Sequence, residues 1–540
     1  MNLIKDAWIP VFRAKSGRGV IAPWQIAEQE DPVMELAAPR PDFQGAMYQF
    51  LIGLVQTGFA PEDLDEWLKY WNKPPEAALL QARLEALETA FEFDKPEGPA
   101  FMQDYAMQDG KAEGIASLLI DAPGVSTVEK NRDHFIKRDV TRRVCKNCAV
   151  MALFTLQTNG PQGGSGHRVG LRGGGPLTTL VLPPEQMSLW QTLWLNVLDR
   201  EDMDGYQQER VAKVFPWMGA TRTSEKNGAE TTPENVHPLQ AYWGMPRRIR
   251  LDFPSEAIMG DCDLCDASNV ALVEKYRSRP HGVNYTGTWV HPLTPYRFDS
   301  KKEKPPLSLK GQEGGLGYRH WLALTLADDE NGDAAAKIVR RYSEQRASEL
   351  KIQRIARLWC FGYDMESMKA RCWYDHTFPL FNLDPKQRTK LLQWADELIS
   401  AAKDVSNNLR KQVKAAWFRR PADAKDITSE IIPVVVDFWQ RSEPVFYELL
   451  EQLSKVPGEQ ELPPSELYAR WGKKLVSLSL QLFDAWVLEA ANEDMDMKRI
   501  IAQRDGLERL IYGCKSMKTI KSRALPEKEE TDGKTEVSLS

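Results

Sequence analysis

The sequence predicts an α+β protein: a mixed α/β N-terminal domain held by a structural metal site, followed by a C-terminal antiparallel four-helix bundle. Three observations carry this. Two C-x-x-C pairs, Cys145-Lys-Asn-Cys148 and Cys262-Asp-Leu-Cys265, lie far apart in the chain. Before about residue 335, short strand-like and helix-like pieces alternate with Pro and Gly turns. From Ala335 to Ile520 glycine becomes rare and apolar residues fall at helical spacing.

In the first part, Met47 to Gln56 and Met187 to Leu198 read as helices, and Thr178-Thr179-Leu180-Val181-Leu182 as a strand. Cys360-Phe361-Gly362-Tyr363-Asp364 breaks the helical pattern, and Gly362-Tyr363-Asp364 suggests a turn leading to a strand or hairpin. Four helical runs follow, at about 386–418, 427–455, 465–492 and 496–520. In the third, Leu467, Trp471, Leu475, Leu478, Leu482 and Trp486 line one face. Their short connections, through Pro421, Pro457-Gly458 and Asn492-Glu493-Asp494, imply antiparallel neighbours. The expected domains are residues 1–375, 376–525 and a disordered polar tail, 526–540.

A two-residue gap lets both thiolates of a pair turn onto one ion, and two pairs complete the tetrahedral S4 shell that zinc prefers. Cys145, Cys148, Cys262 and Cys265 are therefore the expected Zn2+ ligands. Four thiolates leave no position for water, so the role is structural. Two unrelated pairs, or a recurring redox motif, are the alternatives. Cys360, Cys372 and Cys514 sit in apolar, helix-like surroundings and read as core.

A net charge of −6 argues against a free-standing DNA-binding protein. Local charge says more. Residues 128–146 hold seven basic side chains, Lys130, Arg132, Lys137, Arg138, Arg142, Arg143 and Lys146, against three acids. This positive loop runs into the first cysteine pair. Gly160 to Gly175 places eight glycines in sixteen positions, with His167, Arg168 and Arg172 as donors. It lacks G-x-x-x-x-G-K-[ST], so it is no ATPase phosphate loop. A flexible surface loop or a backbone pressed on a nucleic-acid groove remain. Lys275-Tyr276-Arg277-Ser278-Arg279-Pro280-His281 interleaves cations with an aromatic, as a nucleic-acid contact or an exposed strand edge would. No H-E-x-x-H, G-x-S-x-G or nuclease-like acid cluster stands out, which favours binding over catalysis. The lack of long apolar runs and of a signal pattern at Met1-Asn2-Leu3 implies a cytoplasmic protein with no membrane partner.

In this order, the features resemble the CasA family, the large subunits of type I-E CRISPR Cascade complexes. The resemblance rests on Met1-Asn2-Leu3 with Trp8-Ile9-Pro10-Val11, the cysteine pairs, Gly170-Leu171-Arg172-Gly173-Gly174 with Pro176-Leu177-Thr178-Thr179, and Trp289, His291, Pro292 and Pro295. Phe438 and Arg441-Ser442-Glu443 add to it. It implies a non-catalytic subunit that inspects double-stranded DNA for the short PAM, opens it and helps recruit a helicase-nuclease, alongside guide RNA and the other Cascade subunits. Phe135, Ile136 and Lys137 would meet the guide-RNA handle; Gly163, Gly164, Gly166 and Arg168 would lie along the minor groove. Pro280 stands where the family carries a lysine, so Arg277 and Arg279 become the candidate cations. Met365, Glu366 and Ser367 fall at the wedge, where the family carries a glutamine. A nuclease-like enzyme with an unrecognised site, and a zinc-stapled scaffold that joins proteins without touching DNA, are the rival readings.

Overall fold

The computed structural model describes the chain except residues 108, 125–126, 129, 131–139, 165, 204–210, 227, 302, 326–331, 351–354, 367, 419–427, 490–495 and 526–540. It forms two compact units: Met1–Gly315 with Ala323–Asn382, and Leu316–Leu322 with Leu383–Ser540.

The first unit opens with an antiparallel sheet of β1 (Ile9–Arg13), β2 (Gly17–Ile21) and β3 (Val33–Leu36), in the order β2-β1-β3. Helix α1 (Pro41–Gly58) begins at a proline, whose fixed φ suits a first turn, and almost every residue along it is buried. A helix that is apolar all round belongs inside a core. Phe50 is its hub, edge-on to Trp8, Phe91, Phe101, Phe154 and Trp243 at 5.4 to 6.1 Å between centroids. Such pairs add roughly 0.5–1.5 kcal/mol each beyond burial.

Next come β4 (Lys111–Gly114), β5 (Val144–Cys145), α2 (Lys146–Asn159), β6 (Thr178–Leu182), β7 (Arg248–Asp252), β8 (Met259–Gly260), β9 (Val270–Val273) and β10 (Lys275–Arg279). They make two small antiparallel sheets, β5-β9-β8 and β4-β10-β7. Lys275–Arg279, which read equally well as a strand edge, is a central strand.

A long hairpin of β11 (Ala356–Glu366) and β12 (Lys369–Leu380) pairs with β6, in the order β12-β11-β6. This corrects two expectations. Ala356–Glu366 and Lys369–Leu380 are strand rather than helix, and Gly362-Tyr363-Asp364 lies inside β11, with Met368 in the turn beyond it. Trp359, Phe361 and Tyr363 alternate at period two, a strand signature that the helical composition on either side obscured. Gly362 serves close approach instead of a turn: a Cβ there would lie 2.8 Å from the Pro176 carbonyl oxygen. Cys360 is buried in β11, but Cys372 is exposed in β12, contrary to its reading as core.

The second unit holds α3 (Pro385–Trp417), α4 (Thr428–Ser454), α5 (Ser465–Phe483), α6 (Met497–Gly513) and α7 (Lys515–Arg523). Asp384 caps α3 by accepting from the Lys386 and Gln387 amides, with Pro385 in the first turn. Leu467, Trp471, Leu475, Leu478 and Leu482 of α5 are buried as expected. Trp486 is not on that face. Beyond Phe483 the chain enters a π turn, Asp484–Leu488, whose extra residue per turn rotates the face and buries Val487. The run expected over 496–520 is two helices, parted at Cys514, which is half-buried there.

The segment Leu316–Leu322 brings Tyr318 onto these helices. Its ring stacks on Phe446 at 4.3 Å, its hydroxyl lies 2.9 Å from Ser442 Oγ, and Glu443 accepts its amide at 3.1 Å. Ser442 and Glu443 thus anchor a returning segment of chain. Among the described residues, no helix is long and apolar enough to cross a membrane.

Candidate metal centre and nucleic-acid interface

Cys145 ends β5 and caps α2, its Sγ accepting from the Cys148 amide at 3.4 Å. A helix N-terminus favours thiolate over thiol. The second pair sits in the turn after β8, where the Cys262 amide donates to the Ala267 carbonyl and Asp263 accepts from the Arg142 and Arg143 amides at 2.6 and 2.9 Å. The β5–β9 pairing joins the two sides, aligning Cys145 with Leu272.

All four Sγ atoms lie within 4.8 Å of one another, and Cys145 Sγ is 3.8 Å from Cys265 Sγ. Zn–S bonds of about 2.3 Å in a tetrahedron give S···S edges of about 3.8 Å. The residues fit the ion. Hydrogen bonds among the four thiols lower Cys262 and Cys265, the latter to about 7, and leave Cys145 and Cys148 raised as the donors, so the set shares its protons until a cation displaces them.

The glycine segment makes two separate contacts. At one end the Gly163 amide donates to the His167 carbonyl, closing a turn, and Gly166, with φ +80°, accepts from the His281 amide at 3.0 Å. The loop therefore lies on the Pro280-His281 corner that ends β10. Arg168 Nε donates to Ser224 Oγ at 2.8 Å. At the other end Gly175 lets β11 approach: a Cβ there would meet Met365 Cγ and the Tyr363 carbonyl at 2.6 Å. One segment thus touches both the cationic strand and the hairpin.

Gly164 stands open, with nothing within 4 Å of an added Cβ. Arg172, expected as a donor beside it, is instead fully buried. It donates to Gln49, Thr178 and Thr294 at 2.6, 3.1 and 2.9 Å, and burial pushes its guanidinium down to about 10. It ties α1 to β6 and cannot reach a ligand.

Arg277 and Arg279 share one face of β10 with Lys275. Arg277 Nε pairs with Asp252 at 3.0 Å and Arg279 with Asp109 at 3.1 Å, both partly exposed. The ladder sets Arg250 opposite Arg277 and Arg248 opposite Arg279, so four arginines occupy one face. Sequence reasoning missed Arg248 and Arg250, although Arg248-Ile249-Arg250 alternates as a strand does. Both are buried, Arg248 on Asp104 and Arg250 on backbone carbonyls. Lys310 was also missed; it reaches Gly173, where a Cβ would lie 3.1 Å from its Nζ.

At the hairpin end, Arg371 grips Asp364 with two bonds of 2.8 and 2.9 Å and pairs with Glu366 at 3.2 Å. Met365 is half-buried against Gly175, while Met368 is exposed at φ +68°. Ser367, Phe135, Ile136 and Lys137 lie outside the described residues.

A sequence model of the family described as CRISPR-associated protein Cse1 matches residues 2–482. The chain belongs to the Cse1 family. Solved Cse1 structures share its fold at low identity. CasA (Cse1) of Thermus thermophilus superposes with a TM-score of 0.67 at 17% identity, over 95% of this chain and 99% of that one. Cse1 of Acidimicrobium ferrooxidans gives 0.65 at 15%, over 96% and 99%. A chain of a CRISPR RNA-guided surveillance complex gives 0.65 at 14%, over 95% and 99%.

Proposed function

We propose that this Cse1 chain is the non-catalytic PAM-sensing subunit of a type I-E CRISPR RNA-guided surveillance complex in the cytoplasm. Its partners are the other Cascade subunits, guide RNA, double-stranded target DNA and a helicase-nuclease. The supporting observation, beside family membership, is that one glycine segment packs on both the Pro280-His281 corner and the hairpin. A duplex held at the first would have its end near the second.

In this reading, backbone and small side chains around Gly163, Gly164 and Gly166 meet the minor groove, whose pattern of donors and acceptors is degenerate and suits several PAMs. Arg168, Arg277 and Arg279 hold phosphates or the groove. The hairpin opens the first base pair. Met365 packs on Gly175, so the apolar wedge passes to exposed Met368, in the manner of side chains that unstack base steps. Phe135, Ile136 and Lys137 meet the guide-RNA handle. Zinc at Cys145, Cys148, Cys262 and Cys265 fixes the root of that loop without chemistry of its own. We read residues 1–375 as the sensing domain and the helices of 376–525 as an antiparallel bundle that docks neighbours.

The test is photocrosslinking of the reconstituted complex to a PAM duplex. Adducts at residues 163–168 and 277–279 are expected. Adducts confined to other subunits would replace this reading with that of a protein scaffold.

A further inference from the structure

Beside the glycine segment, the first unit holds a cleft of about 560 Å³ that the DNA reading leaves unused. Its volume is that of a small-ligand site. Thr221 and Thr231 line it, and among the described residues neither hydroxyl has a hydrogen-bond partner, although Thr231 is only 1% exposed. A buried hydroxyl left so carries a desolvation cost that a bound polar group would recover. Arg222, also in the lining, donates to the Asn235 and Glu230 carbonyls at 3.4 and 3.1 Å, and among the described residues no carboxylate pairs with it. Glu234 is the carboxylate of the lining, and the neighbouring Thr232 hydroxyl holds it below the usual carboxylate range. Phe215, Val283 and Tyr285 supply apolar wall.

We propose that this cleft binds a single unpaired nucleotide, with its phosphate at Arg222, its base face on the apolar wall and its base edge at the Thr221 and Thr231 hydroxyls. Cation, flat apolar surface and inner hydroxyls are the parts that single-stranded recognition uses. The location agrees. Ser224, two residues past Arg222, takes the Arg168 bond and donates its amide to the His281 and Gly282 carbonyls, beside Val283. The cleft therefore adjoins the end of the glycine segment that meets the Pro280-His281 corner, where a strand leaving the opened duplex could enter it. The source of that nucleotide rests on the DNA-opening reading; the chemistry of the cleft does not.

The experiment is calorimetric titration of the full chain with deoxyribo- and ribonucleoside 5′-monophosphates and with inorganic phosphate. Nucleotides should bind at least tenfold more tightly than phosphate. Arg222→Gln should weaken them about tenfold and Thr231→Val, which keeps the shape, about fivefold. A preference for deoxyribonucleotides assigns the displaced DNA strand as the source, and one for ribonucleotides the guide. No binding, equal affinity for phosphate alone, or unchanged affinity in both folded variants would overturn the proposal. PAM discrimination by Gly164 variants is read on duplexes, so either reading can fail without the other.

Discussion

At the scale of single residues, Gly164 and Gly166 separate function from strain. Gly164 has open space around an added Cβ, so Gly164→Leu should leave the melting transition within about 0.5 kcal/mol of the parent and still reduce discrimination between PAM and non-PAM duplexes in the reconstituted complex. Gly166, at φ +80°, should lose about 1–2 kcal/mol as alanine, so it is the wrong place to test the interface. Unchanged discrimination in a folded Gly164→Leu complex would remove the loop from the interface. Arg279 behaves differently, because Asp109 competes with phosphate for its guanidinium. Arg279→Ala should weaken binding to all duplexes and make the log–log salt slope shallower by roughly one. Asp109→Asn should tighten binding to all duplexes, and titrations at several salt concentrations check both.

At the scale of elements, the cysteine cluster and the hairpin carry separable tasks. Cys262→Ser should lower zinc content measured by elemental analysis and make the first unit more sensitive to protease than the helices of the second. Structural zinc contributes on the order of 10 kcal/mol to small domains. Zinc-free but fully folded protein would count against the assignment. For the hairpin, Met368→Gly should spare duplex binding and slow permanganate-detected strand opening, since a wedge acts after docking. Equal loss of both signals would mean that the hairpin positions DNA and does not open it. The hairpin also shows where reading elements from sequence failed. Trp359, Phe361 and Tyr363 carried a strand period, but Leu-, Lys- and Glu-rich sequence on both sides weighed toward helix. The cysteine pairs were legible because ligand chemistry fixes their spacing whatever the fold.

At the scale of the whole molecule, charge and assembly decide affinity. With a net charge of −6, and with Arg277 and Arg279 each paired to a carboxylate, the isolated chain should bind PAM duplexes weakly at physiological salt. Binding should tighten by orders of magnitude in the guide complex, where contacts are presented together and the ordering cost is already met. Tight, PAM-selective binding by the purified chain would contradict this. The chain itself is not divided once: it leaves the first unit at Gly315, gives Leu316–Leu322 to the second, and returns. Nothing in local periodicity signals such a detour, because the seven residues are specified by Tyr318 meeting Phe446 and Ser442 more than a hundred positions away.

The sequence by itself determined the cysteine cluster, the strand at Thr178–Leu182, the long helices after Pro385 and the family, since each rests on spacing or composition within a short window. Only the tertiary structure decided which of the glycine segment's donors face outward. Arg168 and Arg172 look alike in sequence, yet Arg168 is held at Ser224 and Arg172 is enclosed by Gln49, Thr178 and Thr294. It decided also that Arg277 and Arg279 share a face with Arg248 and Arg250, because cross-strand register joins residues that no local pattern relates. Exposure and partnership are properties of the packed chain, and they fix which cations remain available to a ligand.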